Sequence, residues 1–138
     1  MEPERIKHLE FIQSIVTRMN TNSFQIKSWT VTLISAILAL YASTKNIDFI
    51  LLGIFPAIVF WFLDAYYLTQ ERKFRGLYDD VAGISGGGPI TIFSMNTAKY
   101  KDKKYCYWNV MWSRTIWTIY LLLILFLCAL FLFIKLNY

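Results

Sequence analysis

IDFILLGIFPAIVFWFLDAYYL, Ile47 to Leu68, decides the fold: it is an apolar run with Asp48 at one edge and Asp64 about a turn inside the other. Roughly 20 apolar residues cross the ~30 Å hydrocarbon core of a bilayer. A carboxylate at such a depth costs on the order of a few kcal/mol unless it is paired, hydrated or protonated. Asp64 therefore needs a partner or a task.

Two more stretches read as spans. Phe24 to Ser43 (FQIKSWTVTLISAILALYAS) has one charge, Lys27, near its start, where a long side chain can snorkel to the interface. Thr115 to Ile134 (TIWTIYLLLILFLCALFLFI) has none. The chain of 138 residues is 57% hydrophobic and only 17% charged, against about 25% charged in a soluble domain. These features predict an all-α integral membrane protein with three transmembrane helices, at 24–43, 47–68 and 115–134. It forms a single membrane domain over 1–138. Met1 to Asn20 is charged throughout and lacks a small-residue cleavage site, so no secretory signal is expected there. Cys106 falls near the surface and Cys128 inside a span, which predicts no disulfide and no metal site.

Charge sets the expected orientation. Of the fourteen Lys and Arg residues, Lys45 and Lys135 alone fall on one side of the spans. The positive-inside rule then places the N-terminus and the 69–114 loop in the cytoplasm and the C-terminus outside. Trp29, Tyr66, Tyr67, Trp108, Trp112 and Trp117 fall where a cytoplasmic aromatic belt belongs.

Outside the spans, Ile6, Leu9, Ile12, Val16 and Met19 recur at steps of three and four, predicting an amphipathic cytoplasmic helix over 3–20 with His8 on its solvent face. Asn20 to Ser23 reads as a break, with Ser23 capping the first span. The second span is expected to continue to about residue 82. Its stripe of Phe74, Leu77, Tyr78 and Val81 offers the N-terminal helix a surface and so a small cytoplasmic helical layer. Pro56 predicts a kink. Gly83 to Pro89 (GISGGGP) reads as a linker, since no Walker-type lysine follows it, and Pro89 to Phe93 as a short β-like run. Asp79 and Asp80 read as a solvated pair. Lys99, Lys101, Lys103 and Lys104 form a charge run suited to anionic headgroups or to a partner. Tyr105, Trp108 and Trp112 suggest a short interfacial helix before a third span with no polar surface to hide.

Several groups can reach Asp64: Lys27, Arg72, Arg75 and Arg114 as cations, and Ser28, Trp61 and Tyr67 as hydrogen-bond donors. One reading is a buried pair that fixes helix register. Another is an acidic ring at the mouth of a cation-passing pore made by several copies. A proton relay ranks last, because it needs more intramembrane carboxylates. In the first span Ser28, Thr32, Ser35, Ala36, Ala39, Ala42 and Ser43 form a strip of small and hydroxyl residues. It suits close packing against a span of the same chain, self-association, or the lining of a polar pore. No motif for catalysis, a cofactor or a metal is found, and no enzyme activity or nucleic-acid partner is expected.

At RMNTNSFQIKSW (Arg18 to Trp29) and FWFLDAYYLTQER (Phe60 to Arg72), within His8–Leu40 and Phe60–Val81, the chain resembles small bacterial inner-membrane proteins. In layout these are similar to the two-transmembrane effector modules of nucleotide-signalled antiphage defence systems. The resemblance implies a multi-pass inner-membrane effector that compromises the envelope when triggered, with a nucleotide signal or a cytoplasmic protein as a partner besides the bilayer itself. The third span and the Gly-rich loop depart from that layout. Two functions are thus expected: a homo-oligomeric, pore-forming or membrane-perturbing effector, or a non-catalytic anchor that recruits a cytoplasmic protein. A transporter subunit is weakened by the lack of an internal inverted repeat.

Overall fold

The computed structural model describes residues 2–86 and 91–137. It is helical, with no strand among the described residues. The N-terminal 42 residues after Glu2 form one helix, α1 (Pro3–Thr44). At about 1.5 Å per residue it is about 63 Å long, twice the thickness of a hydrocarbon core. The predicted break at 20–23 does not occur. His8, Ile12, Val16, Ser23, Ile26, Thr30 and Ile34 are all buried, and their spacing makes one continuous face. Packing of that face overrides the preference of Asn and Ser for caps. Ser23 points its hydroxyl inward instead of at a helix N-terminus.

α1 ends at Lys45 in the left-handed conformation (φ 59°), whose N–H bonds the Tyr41 carbonyl. A tight turn follows, in which the Asn46 side chain accepts from the Asp48 N–H at 3.0 Å. The chain then returns through α2 (Asp48–Leu52) and α3 (Ile54–Ala82). The interruption falls at Gly53, three residues before Pro56, where the kink was expected. Pro56 has no N–H to offer the Leu52 carbonyl, so the ladder opens on that turn. Gly53 also lets the third long helix approach: a Cβ there would lie 3.3 Å from Leu127 Cδ1. α3 stops at Gly83 (φ 78°), with the Ile84 N–H on the Asp79 carbonyl at 2.9 Å.

Residues 91–106 fold back as a strap across α1 and α3. Residues 87–90, part of the expected linker and of the expected β-like run, lie outside the described residues. The run's described part, Thr91 to Phe93, is a turn, with Phe93 at φ 64°. The short α4 (Tyr107–Met111) leads into α5 (Arg114–Asn137). Tyr105 does not join Trp108 and Trp112 on this helix. It ends the preceding 3₁₀ turn and is buried, while the two tryptophans are exposed.

Three helical segments are long and apolar enough to cross a membrane: Pro3–Thr44, Asp48–Ala82 and Arg114–Asn137. α3 lies between α1 and α5, and α5 is the outermost and least covered. Two clusters knit the apolar end and middle. Ile34, Ile50, Ala57 and Leu127 join all three passes, and Ala65, Val110, Met111, Ile116 and Tyr120 join α3, α4 and α5. A third cluster, Ile12, Val16, Leu77, Val81, Tyr100 and Tyr105, fills the loop-bearing end between α1, α3 and the strap. The stripe on the α3 extension thus receives the N-terminal part of α1.

Candidate functional site

Asp64 is fully buried. Its face of α3 meets the face of α1 that carries Ser23, Lys27 and Thr30, residues four and three apart. Lys27 Nζ stands 2.5 Å from Asp64 Oδ2. Ser23 donates its hydroxyl to Oδ1 and receives a hydrogen bond from Lys27 Nζ at 2.8 Å. From α5, Tyr120 donates to Oδ2 at 3.1 Å. Each carboxylate oxygen is therefore satisfied, as a charge in a low-dielectric interior requires. Lys27 keeps 18% of its side chain exposed, so the cation sits at the rim and the anion inside.

Of the partners open to Asp64 in the sequence, Lys27 is the one used. Arg75 instead pairs with Glu71 one turn back at 2.8 Å, and Arg72 reaches the Lys104 carbonyl at 3.4 Å. Trp61 donates to the Met111 carbonyl at 3.1 Å and packs edge-on to Trp112 and face-on to Tyr120, holding α4 and α5 against α3. The five residues expected to share a polar network or pore separate into two groups. Asp64 and Lys27 are paired, the carboxylate inside and the ammonium at the rim. Ser28, Thr32 and Ser35 are exposed on the other side of α1, where Ser28 and Thr32 bond the carbonyls of Phe24 and Ser28. The small-residue strip is thus not the contact between spans of one chain. Two members of the site were not foreseen: Ser23, read as a cap, and Tyr120, the one phenol in a helix taken as apolar all round.

The loop-bearing end holds a second polar set. His8 is buried, not solvent-facing. Its Nδ1 accepts from the Phe93 N–H at 3.3 Å, so in the neutral ring the proton sits on Nε2, which donates to the Ser94 carbonyl at 3.2 Å. Asp80 is likewise not a plain solvated residue. Lys99 pairs with it, Ser85 donates to it, and Tyr100 donates at 2.6 Å. Chiefly through the Lys99 hydrogen bond, its pKa is lowered to about 2, while burial and the Asp80 contact push the Tyr100 phenol up. In the expected charge run Lys99 is thus engaged. Lys101, Lys103 and Lys104 are exposed, Lys104 lying over the Tyr105 ring at 4.7 Å. Tyr100 and Tyr105 pack edge to face against Gly76, where a Cβ would stand 2.5 Å from the Tyr105 hydroxyl.

Among the described residues no cluster of His, Cys, Asp or Glu has the makings of a metal site, and both cysteines are free. Compared with protein-family models, curated proteins and solved structures, the chain matches none.

Proposed function

We propose that this chain is the subunit of a homo-oligomeric bacterial inner-membrane effector, with α1, α2–α3 and α5 crossing the bilayer and the strap-bearing end in the cytoplasm. One observation carries the reading. The hydroxyl and small-residue face of α1 (Ser28, Thr32, Ser35, Ala36, Ala39) is turned away from its own protomer. In a bilayer apolar faces gain little by meeting, and small residues that admit close backbone approach are what helix interfaces use. Copies packed through this face would place hydroxyls, and not Asp64, at their junction. Asp64 then fixes α1 against α3 and α5 within each copy. The resemblance of Arg18–Trp29 and Phe60–Arg72 to small bacterial inner-membrane proteins, themselves similar in layout to defence effectors, is what suggests a membrane-perturbing role, and these two stretches also supply Ser23, Lys27 and Asp64 of the buried network.

The test is membrane potential, followed with a voltage-sensitive dye in cells expressing the chain at rest and under phage challenge. Depolarisation that is lost in Ser35→Leu but kept in Asp64→Asn, where the folded protein accumulates, supports the effector reading. An unchanged potential under challenge counts against it.

A second reading, a non-catalytic anchor that recruits a cytoplasmic protein, is favoured by the packed end made by α1, α3 and the strap. The groove there, lined by Ile6, Leu9, Gln13 and Tyr78, would be the working surface. A stoichiometric soluble protein recovered with the chain, lost on Leu9→Glu, supports this reading.

A further inference from the structure

Between α1 and α3, on a side that the strap does not cover, lies a groove of about 210 Å³. Asn22, Gln25 and Tyr67 line one end and Trp29, Phe60 and Leu63 the other. The order follows the chain directions. α1 runs from Asn22 toward Trp29 as α3 runs from Tyr67 back toward Phe60, so amides and a phenol sit at the loop-bearing end and rings and a leucine lie deeper. On α1 the steps from Arg18 to Asn22, Gln25 and Trp29 are four, three and four residues, which puts Arg18 at the polar mouth on the same face. Arg18 is exposed and makes no ion pair among the described residues. Acidic groups on the facing stretch of α3 are committed elsewhere, Asp64 to Lys27 and Glu71 to Arg75.

We infer that this groove is a binding site for an anionic phospholipid of the cytoplasmic leaflet. The apolar end takes the upper part of an acyl chain, the amides and Tyr67 face the glycerol and ester oxygens, and Arg18 meets the phosphate. A guanidinium suits a phosphate because its planar fork donates two parallel hydrogen bonds. The inference rests on the proposed placement of 24–43 and 47–68 in the bilayer. It differs from surface attraction by Lys101, Lys103 and Lys104, which are spread over an exposed turn.

The full chain is reconstituted in nanodiscs of phosphatidylcholine and phosphatidylglycerol in equal parts. Lipids that stay with it in mild detergent are then counted by native mass spectrometry. Phosphatidylglycerol is expected to be kept roughly fivefold over phosphatidylcholine, the ratio that about one favourable basic contact gives. Arg18→Gln removes the preference and Leu63→Trp, which fills the groove, lowers retention of both lipids. Replacing Lys101, Lys103 and Lys104 together by Gln leaves the preference intact. Equal retention of the two lipids by the wild-type chain overturns the inference, as does an unchanged preference in Arg18→Gln. So does a loss in the triple lysine variant as large as that in Arg18→Gln, which points to diffuse charge. A Leu63→Trp variant that alters the number of protomers but not the retained lipid assigns the groove to a second copy and also overturns it. If Leu63→Trp does not fold by circular dichroism, the exposed Arg18→Gln decides alone. An alkaline wash of vesicles separates the two failures. A chain that stays inserted without selecting lipid sinks the groove, and a chain that washes off sinks the membrane placement first.

Discussion

Replacing Lys27 with Met removes the cation beside Asp64 and keeps the length of the side chain. Asp64 would retain the Ser23 hydroxyl and the Tyr120 phenol at 3.1 Å, but no positive charge. An unpaired, fully buried carboxylate costs about 3–5 kcal/mol. Asp64→Asn is milder, because Lys27 is partly exposed and can turn its ammonium outward, leaving about 1–2 kcal/mol for the altered hydrogen bonds. The double variant Lys27→Met, Asp64→Asn has no buried charge at all, so its cost should be close to that of Asp64→Asn alone. The two changes are therefore coupled by about 3–5 kcal/mol, the whole cost of Lys27→Met, well beyond the ~0.5 kcal/mol within which independent sites add. Unfolding of the four proteins from mild detergent into sodium dodecyl sulfate, followed by tryptophan fluorescence, measures the cycle. Trp61, stacked on Tyr120, reports on the site. Additive losses would refute the reasoning, because they would mean that Lys27 and Asp64 do not depend on each other in the folded bundle.

Gly76→Ala places a methyl 2.5 Å from the Tyr105 hydroxyl and 3.0 Å from the Tyr100 ring. With both rings buried and Tyr100 held by Asp80, the overpacking should cost about 1–3 kcal/mol and loosen the strap, read as faster proteolysis of the 91–106 segment. Ile12→Ala empties a fully buried position of the same cluster and should cost about 2–5 kcal/mol in the same unfolding assay. Asp80 supplies a pH dependence with a defined sign. Its folded pKa of about 2 lies below the ordinary 3.8, so its contribution is fully present above about pH 4 and is lost as pH falls toward 2. Strap protection from proteolysis or amide exchange should weaken across that window, and Asp80→Asn should weaken it at neutral pH and flatten the acid dependence.

The three apolar passes were legible because each carries a run of bilayer length, and the N-terminal stripe because Ile12 and Val16 keep helical spacing into the face that α3 covers. What the sequence hid was tertiary. Asn20 to Ser23 has the composition of a break, yet Ser23 finds a better acceptor in Asp64 than a helix N-terminus would give, and the helix runs through. Tyr120 was masked by the leucines around it. A lone phenol in an apolar span does signal a buried acceptor, since its hydroxyl must be satisfied. His8 falls in register with Ile12, one turn away, and that register outweighs its polarity once Phe93 and Ser94 supply its hydrogen bonds. The demand for a glycine at position 76 depends on two tyrosines more than 20 residues away, which no local pattern reports.

The central claim is that Asp64 is sealed within each copy while the hydroxyl face of α1 is left outward to join copies. The mass of the protein in lipid nanodiscs, measured for the wild-type chain and for a variant with Ser35→Leu and Ala39→Leu together, tests it most directly. The account predicts a wild-type mass of several protomers and a variant of unchanged helicity that falls to one. A wild-type chain that is a single protomer, or a variant that assembles as the wild type does, would contradict it.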